Sequence, residues 1–329
     1  MYPKNSVFQP QHLEYMRRCF QLASLGLEQV QPNPMVGAVI VANGIIIGEG
    51  WHRKYGLAHA EIDAINAVKE KELLKKSTLY VNLEPCSHFG KTPPCADAII
   101  QYQIPEVVIA NTDPNEKVNG SGIYRLKEAG ISVITPVLEE EGKELNRRFF
   151  TFHQKKRPYI ILKWAQTSDG FMDIERENNS QENYWITNVP LRTIVHQWRS
   201  EEDAIAIGYN TLYNDKPQLT TRFYLGKNPK RFVITNGKTE VEAAGFSVLP
   251  EHLDEMMKIL HQQKVQSIII EGGRKTLERF LSADLWDEVR ILIGNQHWRK
   301  GMKAPALPAR PQKEVVVEDN TIQYVRRYL

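Results

Sequence analysis

Residues 83–95 read LEPCSHFGKTPPC, and they give the strongest indication of how the first half of the chain folds. The preceding residues, 78–83, predict a strand, and the following residues, 96–102, predict a helix that starts after a pair of prolines. Cys86 and Cys95 therefore stand at the end of a strand and at the start of a helix, where the backbone holds side chains at fixed angles. The stretch predicts an α/β unit with two thiols at the ends of its elements.

Periodicity and turn residues predict the other elements of the first half. Strands and helices alternate along it, which is typical of a layered α/β sandwich. The expected elements are a helix over 12–27, a hairpin of strands 36–41 and 45–48, a helix over 61–71, strands over 107–110 and 131–134, a helix near 124–128, and a charged helix followed by a linker over 139–157.

The chain has 329 residues, which is more than one globular core usually contains, so we expect two domains, residues 1–146 and 147–329. No stretch offers the roughly 18 consecutive apolar residues of a membrane span, and the N-terminus does not resemble a secretory signal. A formal net charge of +3 is close to balance and argues against a dedicated nucleic-acid binder. These features predict a cytoplasmic protein that acts on a small molecule.

A third group joins the two thiols, because His59 and Glu61 stand at the start of a predicted helix. One imidazole and two thiols leave an open fourth position, which is typical of catalytic rather than structural zinc. Glu61 would then carry the proton from water to a departing amine, as in zinc deaminases. His88 could instead complete a structural site with four ligands. It lies on the glycine-containing loop 87–92, where we expect a substrate contact.

The first half resembles the deaminase half of the bifunctional riboflavin-biosynthesis deaminase/reductase family. Residues 83–95, with eight residues between the cysteines, carry this resemblance together with 32–37, 48–52, 113–115 and 120–122. It implies a cytidine-deaminase-like three-layer α/β/α domain that binds Zn²⁺. Alanine at position 58 departs from the proline that is usual before the metal-binding histidine. The substrate contacts that the resemblance implies are Asn33 and His52 at the pyrimidine, Lys91 at the ribose phosphate, and Asp113 and Asn115 near the site.

Simpler interpretations exist for some of these residues. Asn33 could be a turn residue, His52 a surface histidine and Lys91 a solvated charge. Cys19 falls within the apolar periodicity of the first predicted helix, so we interpret it as a small packing residue.

The second half reads as a separate α/β domain with a mostly parallel sheet. It contains no Gly-x-Gly-x-x-Gly fingerprint, and its nearest feature is Glu271-Gly272-Gly273 at the end of a predicted strand. This turn could approach a phosphate, or it could be a tight turn without a ligand. The predicted strands are 159–165, 203–208, 231–235, 267–271 and 288–293, and the predicted helices are 191–198, 252–263 and 277–282.

Residues 163–170, 185–187, 219–222 and 271–273 resemble, in this order, the reductase half of the same family. The resemblance implies a dihydrofolate-reductase-like α/β domain that uses NADPH. Three departures affect the expected contacts: residues 214–217, with an inserted lysine, Asn236 and Asn183. The implied residues are Lys163, Thr187, Asp215, Arg222 and Glu271 at the ribose end of the substrate, Arg199 and Arg222 at its phosphate, and Thr167, Asp169, Gly208 and Gly272 near the nicotinamide or the pyrophosphate.

The resemblance implies two reactions in one chain. The first is zinc-dependent hydrolytic deamination of a diaminopyrimidinone ribosyl phosphate, and the second is NADPH-dependent reduction of the ribosyl chain to ribityl. We also expect a homo-oligomer, either a dimer or a tetramer. Two alternatives stay open: a deaminase of bases in tRNA or single-stranded DNA, and a zinc-stabilised binding module without catalysis.

Overall fold

The computed structural model divides into two compact units, of which the first ends at Gln154 and the second begins at Lys155. The predicted domain boundary, between residues 146 and 147, lies at the start of the helix Arg147–Lys155. In the described part of the chain, every helix is too short or too polar to cross a membrane. The structure describes residues 9–89, 93–116, 118–174, 185–236 and 245–327.

A five-stranded sheet forms the centre of the first unit, with its strands in the order β2-β1-β3-β4-β5. β1 is antiparallel to β2 and β3, whereas β3, β4 and β5 are parallel. The predicted hairpin is confirmed, and its turn residues Asn43 and Gly44 both have positive φ, as a type I′ turn requires. The strands are β1 Gly37–Ala42, β2 Ile45–Trp51, β3 Ser77–Leu83, β4 Glu106–Asn111 and β5 Ser132–Ile134.

Helices cover both faces of this sheet, which confirms the predicted three-layer α/β/α fold. Alternate residues of β1 point to opposite faces. Ala38 and Ile40 pack in one core with residues of α2, α3 and α4, whereas Val39 and Val41 pack in the other with α1. Cys19 is buried in this second core, as expected. The helices are α1 Pro10–Ser24, α2 Ala60–Ala67, α3 Cys95–Gln101, α4 Ser121–Glu128, α5 Glu139–Leu145 and α6 Arg147–Lys155.

Helix α2 is shorter than the predicted 61–71, because it ends at Ala67 and Val68 is extended. The Lys71 ammonium donates to the carbonyl oxygens of Ile65 and Val68, at 2.6 and 2.7 Å. The carbonyls at the end of a helix need such partners, so this lysine caps α2 instead of extending it. The following residues, Lys71–Lys76, form a 3₁₀ helix. The prediction was wrong here, because the capping contact leaves no trace in the apolar periodicity.

The second unit is built on an eight-stranded sheet in the order β10-β9-β8-β11-β6-β12-β15-β14. The neighbouring strands from β10 to β12 are parallel, which confirms the mostly parallel sheet, and β15 is antiparallel to β12 and β14. The sequence did not predict the hairpin of β14 and β15. The strands are β6 Tyr159–Thr167, β8 Ala204–Gly208, β9 Lys230–Ile234, β10 Ser247–Leu249, β11 Ser267–Glu271, β12 Glu288–Gly294, β14 Lys313–Val317 and β15 Asn320–Arg326, and β7 Phe171–Asp173 pairs separately with β13 Met302–Lys303.

The helices of the second unit also lie on both faces of its sheet. One core contains residues of α7, and the opposite core contains residues of α9 and α10. The parallel strands β6, β8 and β11 are neighbours and end at the same edge. Ligands of such sheets bind at the carboxyl ends of the strands, so this edge is the expected site. The helices are α7 Val189–Glu201, α8 Tyr209–Asp215, α9 Leu253–Gln262 and α10 Arg274–Ser282.

Candidate active sites

Three element ends bring together the side chains predicted as metal ligands. His59 immediately precedes α2, Cys86 follows β3, and Cys95 is the first residue of α3. The Nδ1 atom of His59 lies 3.5 Å from Sγ of Cys86 and 3.3 Å from Sγ of Cys95. The three ligand atoms all lie within 4.8 Å of one another. One imidazole nitrogen and two sulfurs form a donor set that fits zinc with an open coordination position.

Hydrogen bonds within this cluster change the pKa values of its members. Bonds from Cys95 and His59 lower the pKa of the Cys86 thiol to about 4, so this thiol is ionised at neutral pH. The bond to Cys86 raises the pKa of Cys95, and it raises the pKa of His59 to about 9. Thiols must lose their protons to bind a metal, so metal binding at this cluster would release protons.

Glu61 lies in the first turn of α2, two residues after His59, and its side chain is buried. Burial raises the pKa of this carboxyl group to about 7. Among the groups that shift this pKa are His59, Cys86 and Cys95, so the carboxyl group stands beside the metal cluster. A general acid and base works best when its pKa is near the working pH, and burial moves the pKa of Glu61 toward neutrality.

Two glycines of β2 let α2 lie directly on the backbone of the sheet. A Cβ atom on Gly50 would lie 2.3 Å from the Ala64 nitrogen, and one on Gly48 would lie 2.5 Å from the Ala64 oxygen. Side chains at these positions would push against the main chain of α2, which cannot rotate away. The glycines of the motif 48–52 therefore fix the helix that carries Glu61.

Asn33 and His52 form a hydrogen-bonded chain that ends beside the metal cluster. Asn33 Nδ2 lies 3.1 Å from His52 Nε2, and His52 Nδ1 lies 3.0 Å from the carbonyl oxygen of Ala58. Burial lowers the pKa of His52, which favours the neutral ring. Its Nδ1–H then donates to Ala58, and its Nε2 accepts from the Asn33 amide. Both nitrogens of the ring thus serve contacts within the protein, and His52 orients the Asn33 amide.

Asn82 and Asn146 hold the backbone next to Asn33, although the sequence did not single out either residue. The Asn146 amide bonds to both the nitrogen and the oxygen of Met35, each at 2.8 Å. Asn82 accepts from the Gly37 nitrogen at 2.7 Å and donates to the Met35 oxygen at 3.0 Å. Both asparagines are buried. One sequence signal could have identified Asn82, because it is a polar residue within a strand that is predicted to be buried.

The remaining predicted contacts of the first unit lie in two loops. Asp113 is buried, and its Oδ1 accepts from the Asn115 nitrogen at 2.8 Å. Burial raises the pKa of Asp113 to about 7. His88 is exposed and does not belong to the metal cluster found among the described residues. Lys91 lies outside the described residues.

In the second unit, Lys163, Arg199 and Glu271 form a buried charged cluster. The Glu271 carboxylate lies 3.5 Å from the Lys163 ammonium and 3.3 Å from the Arg199 guanidinium. Burial opposes ionisation of Glu271, but the two cations outweigh it and lower its pKa. Burial also lowers the pKa of Lys163. With all three groups ionised, the cluster carries one positive charge and suits an anionic ligand.

His196 is an uncharged ring near the cations Arg199 and Arg222, which with Lys163 form a positive region. Burial, followed by the charges of Arg199 and Arg222, lowers the pKa of His196 to about 4. The ring accepts a hydrogen bond from the Phe223 nitrogen at 3.3 Å, and Arg222 is exposed. Thr187 is partly buried on the segment before α7. The hydrogen bonds and ion pairs found among the described residues do not join Thr187 or Arg222 to the Lys163 cluster.

The residues expected near NADPH form two groups. Thr167 donates to Asp169 at 2.6 Å, and the Asp169 carboxylate accepts from the nitrogens of Trp298 and Arg299. Burial opposes ionisation, but these bonds outweigh it and hold the pKa of Asp169 well below its usual range. Asp169 thus fastens the segment 298–299 to the end of β6.

Gly208 and Gly272 meet at the ends of the neighbouring strands β8 and β11. A Cβ on Gly272, where φ is +119°, would lie 3.6 Å from the Gly208 nitrogen and 2.9 Å from the Thr211 hydroxyl. Thr211 also accepts from the Gly273 nitrogen at 3.2 Å. The positive φ of Gly272 favours glycine at this edge. Sequence reasoning missed Thr211 because this residue of α8 contacts Gly273, which is distant in the sequence.

The departures in the second half have local structural roles where they are described. Lys216 has a positive φ of 41° and ends α8 directly after Asp215, with its nitrogen donating to Leu212. The Asn236 side chain accepts from the Glu251 nitrogen at 3.3 Å. Asn183 lies outside the described residues.

Comparison with known families assigns a different family model to each half of the chain. Residues 9–111 match the cytidine and deoxycytidylate deaminase zinc-binding region. Residues 158–295 match the RibD C-terminal domain. The first match contains His59, Cys86 and Cys95, and the second contains the Lys163 cluster.

Similar proteins extend over both halves. The riboflavin biosynthesis protein RibD of Aquifex aeolicus is 37% identical, over 91% of this chain and 91% of that protein. A crystal structure from Thermotoga maritima, of a diaminohydroxyphosphoribosylaminopyrimidine deaminase/5-amino-6-(5-phosphoribosylamino)uracil reductase, is 35% identical with a TM-score of 0.82, and the match covers 96% of this chain and 98% of that one. The diaminohydroxyphosphoribosylamino-pyrimidine deaminase of Buchnera aphidicola is 53% identical, over 41% of this chain and 91% of that protein.

Proposed function

The chain belongs to the family of the riboflavin biosynthesis protein RibD, a bifunctional deaminase and reductase, and we propose which of its residues perform each reaction. The first unit has the cytidine-deaminase-like fold and uses zinc. The second unit is the reductase, with a dihydrofolate-reductase-like fold, and it uses NADPH. The relatives match both units, so a nucleic-acid deaminase and a zinc-stabilised binding module are not favoured.

The substrate of the first unit is the diaminopyrimidinone ribosyl phosphate. This is the compound that the name of the Thermotoga relative gives as diaminohydroxyphosphoribosylaminopyrimidine. His59, Cys86 and Cys95 hold the zinc, which lowers the pKa of water to near neutrality when bound. Glu61 accepts a proton from the attacking water and delivers it to the amino group that leaves as ammonia. The observation that carries this proposal is the convergence of three ligand atoms within 4.8 Å, beside a buried carboxyl group.

The other residues of the first site bind and orient the substrate. Asn33 contacts the pyrimidine, and His52 fixes the direction of its amide through the 3.1 Å contact between them. Asp113 and Asn115 contact the substrate from the loop that follows β4. His88 contacts the substrate, and Lys91 binds the ribose phosphate, because an ammonium group suits a phosphate as a point charge.

Replacement of Glu61 tests the deaminase assignment. Glu61→Gln keeps the size of the side chain but cannot transfer the proton, so ammonia release should fall at least about 100-fold. The zinc content should stay at the wild-type level. So should the oxidation of NADPH with the aminouracil nucleotide, the product of the deamination and the compound named for the reductase of the Thermotoga relative. If ammonia release persists, the acid and base role of Glu61 is wrong. If zinc is lost, the carboxylate is needed for the metal site itself.

In the second unit, the ribosyl phosphate of the aminouracil lies in the positive region. Lys163, Arg199 and Glu271 form its centre, and Arg199 with the exposed Arg222 binds the phosphate. Thr187 and Asp215 line the ribose end, while Gly208, Gly272, Thr167 and Asp169 lie next to NADPH. When bound, NADPH would supply a hydride to the sugar carbon that is bonded to the amine, while the bond from this carbon to the ribose ring oxygen opens and that oxygen takes up a proton from water. The protein would hold the two reactants together and otherwise exclude water.

Arg199→Lys tests this arrangement, because lysine keeps the charge but loses the planar fork that binds phosphate through two parallel bonds. The KM for the aminouracil nucleotide should rise about tenfold, and ammonia release in the first unit should not change. An unchanged KM would remove Arg199 from the substrate site.

The proposal also includes a cytoplasmic homo-oligomer, a dimer or a tetramer, that does not bind nucleic acid. Light scattering tests the oligomeric state, and a tRNA binding assay tests the absence of nucleic-acid binding.

A further inference from the structure

Glu84 has a contact pattern that the deaminase reaction does not explain. It follows β3, two residues before Cys86, and its side chain is buried. Its Oε2 accepts from the nitrogens of Asp113 and Gly120, at 3.1 and 2.9 Å. Its Oε1 accepts from the nitrogens of Gly122 and Ile123, at 2.8 and 3.1 Å. One carboxylate thus binds four main-chain N–H groups of a distant segment.

Two of these bonds cap helix α4. Its N-cap residue is Gly120, which has no side chain to accept from the first turn. Gly122 and Ile123 are the second and third residues of the helix, whose N–H groups are normally bound by an N-cap side chain. Glu84 does this from another strand, and its negative charge is favourable at a helix N-terminus.

The main chain of α4 also lies directly against the segment that leads to Cys86. A Cβ atom on Gly122 would lie 2.0 Å from the carbonyl oxygen of Pro85. In addition, the Glu84 nitrogen donates to the Asn111 oxygen at 2.9 Å, at the end of β4. The segment from residue 113 to residue 123 is therefore held at both ends against residues 84–85.

This segment contains the loop residues Asp113 and Asn115. The Asp113 nitrogen is bound by Glu84, and the Asp113 carboxylate in turn accepts from the Asn115 nitrogen. The Glu84 carboxylate thus contributes to the place of both residues relative to Cys86, together with the main-chain contacts of the same segment. A loop without such bonds would occupy many positions, and substrate binding would have to order it.

We propose that Glu84 is a positioning residue of the deaminase, which fixes the segment 113–123 so that Asp113 and Asn115 stand ready for the substrate beside the metal cluster. The proposal rests on the proposed function, because it takes these two residues as substrate contacts. Glu84 itself touches neither the substrate nor the reacting atoms. Its effect should therefore fall on substrate binding more than on the chemical step.

The variant Glu84→Gln tests the proposal, because it keeps the shape of the side chain but turns an NH₂ group toward two N–H donors. Hydrogen exchange of a peptide covering residues 113–123 should become faster, while β3 and β4 stay protected. The KM for the diaminopyrimidinone nucleotide should rise at least about tenfold, the equivalent of one charged hydrogen bond, with kcat within about threefold. Zinc content and NADPH oxidation with the aminouracil nucleotide should not change.

Glu128→Gln serves as the matched control, because Glu128 is an exposed carboxylate on the same helix and accepts a hydrogen bond from the Tyr124 hydroxyl. In this variant, the hydrogen exchange of residues 113–123 and the KM for the diaminopyrimidinone nucleotide should equal those of the wild type. If Glu84→Gln does not fold, Gly122→Ala takes its place, since it moves α4 away from Pro85 without removing a charge. The same rise in exchange and in KM is expected.

Unchanged exchange, an unchanged KM, or a loss of zinc and kcat at constant KM would each overturn the proposal. In the last case Glu84 would support the metal cluster instead of the loop. A wild-type protein that releases no ammonia from the diaminopyrimidinone nucleotide is a different failure, because it contradicts the proposed function. In that event the exchange of residues 113–123 in Glu84→Gln still decides whether the carboxylate fixes this segment.

Discussion

The replacement Gly50→Ala should damage the deaminase through the position of α2. A Cβ atom at this position would lie 2.3 Å from the Ala64 nitrogen and 2.5 Å from the Ala60 oxygen. Both atoms belong to the main chain of α2, so rotation of a side chain cannot relieve the clash. Helix α2 must move away from β2, and Glu61 in its first turn must move with it.

The size of this displacement follows from the contact distances. To reach an ordinary contact of 3.4 Å from 2.3 Å, the helix must shift by about 1 Å. Such overpacking typically costs about 1–3 kcal/mol of stability. A catalytic group that is misplaced by about 1 Å can lower the rate about 100-fold, so we expect this fall in kcat/KM for ammonia release.

Gly44→Ala is the matched control on the same hairpin. Its φ is +76°, and nothing lies within 4 Å of an added Cβ atom. Alanine is strained in this left-handed backbone conformation, so the replacement should lower the free energy of unfolding by about 1–2 kcal/mol. It leaves α2 in place. Ammonia release should therefore stay near the wild-type rate.

The assay follows ammonia release from the diaminopyrimidinone nucleotide and, separately, NADPH oxidation with the aminouracil nucleotide. The reductase rate of each variant shows whether the second unit is unaffected, and thermal unfolding gives the stability of the first unit. If Gly50→Ala keeps kcat/KM within about twofold of the wild type, the contact between β2 and α2 does not fix the position of the Glu61 carboxylate. An equal fall in kcat/KM for ammonia release in Gly50→Ala and Gly44→Ala would lead to the same conclusion.

Three more predictions concern the metal, a hydrogen bond and pH. Removal of zinc by a chelator should abolish ammonia release and leave NADPH oxidation intact, and added Zn²⁺ should restore it. Asn146→Ala removes both bonds to Met35, so urea unfolding should show a loss of about 1–3 kcal/mol, with a raised deaminase KM. Burial lowers the pKa of His196 from 6.5 to about 4, so between these values the unfolded state binds the extra proton. Stability should therefore fall as pH drops through this window, and less so in His196→Gln, as melting temperatures against pH would reveal.

Local sequence was sufficient for most of the strands and helices. The strands 267–271 and 78–83 were predicted within one residue of their observed bounds, because a buried strand is a short apolar run between turn residues. The metal cluster could also be anticipated. His59, Cys86 and Cys95 each stand at an element end, and the residues next to them mark those ends with proline or with a change of periodicity.

The supporting contacts could not be anticipated in this way. Glu84 binds residues 113–123, Asn146 binds Met35, and Lys71 ends α2 instead of continuing it. Each contact joins positions whose proximity depends on how strands and helices pack. A hydrogen bond between distant segments does not change the periodicity of apolar residues. In the sequence, a polar residue that forms such a bond therefore cannot be distinguished from a polar residue that faces solvent.

The amino-acid pattern therefore specified the chemistry of the first site and the order of its elements, since ligand type and apolar period are properties of short stretches. Packing in three dimensions specified how the elements are held: the glycines under α2, the asparagines around Met35 and the carboxylate at the start of α4. The physical reason is that close approach and hydrogen bonding between distant segments depend on distances that exist only after the chain has folded.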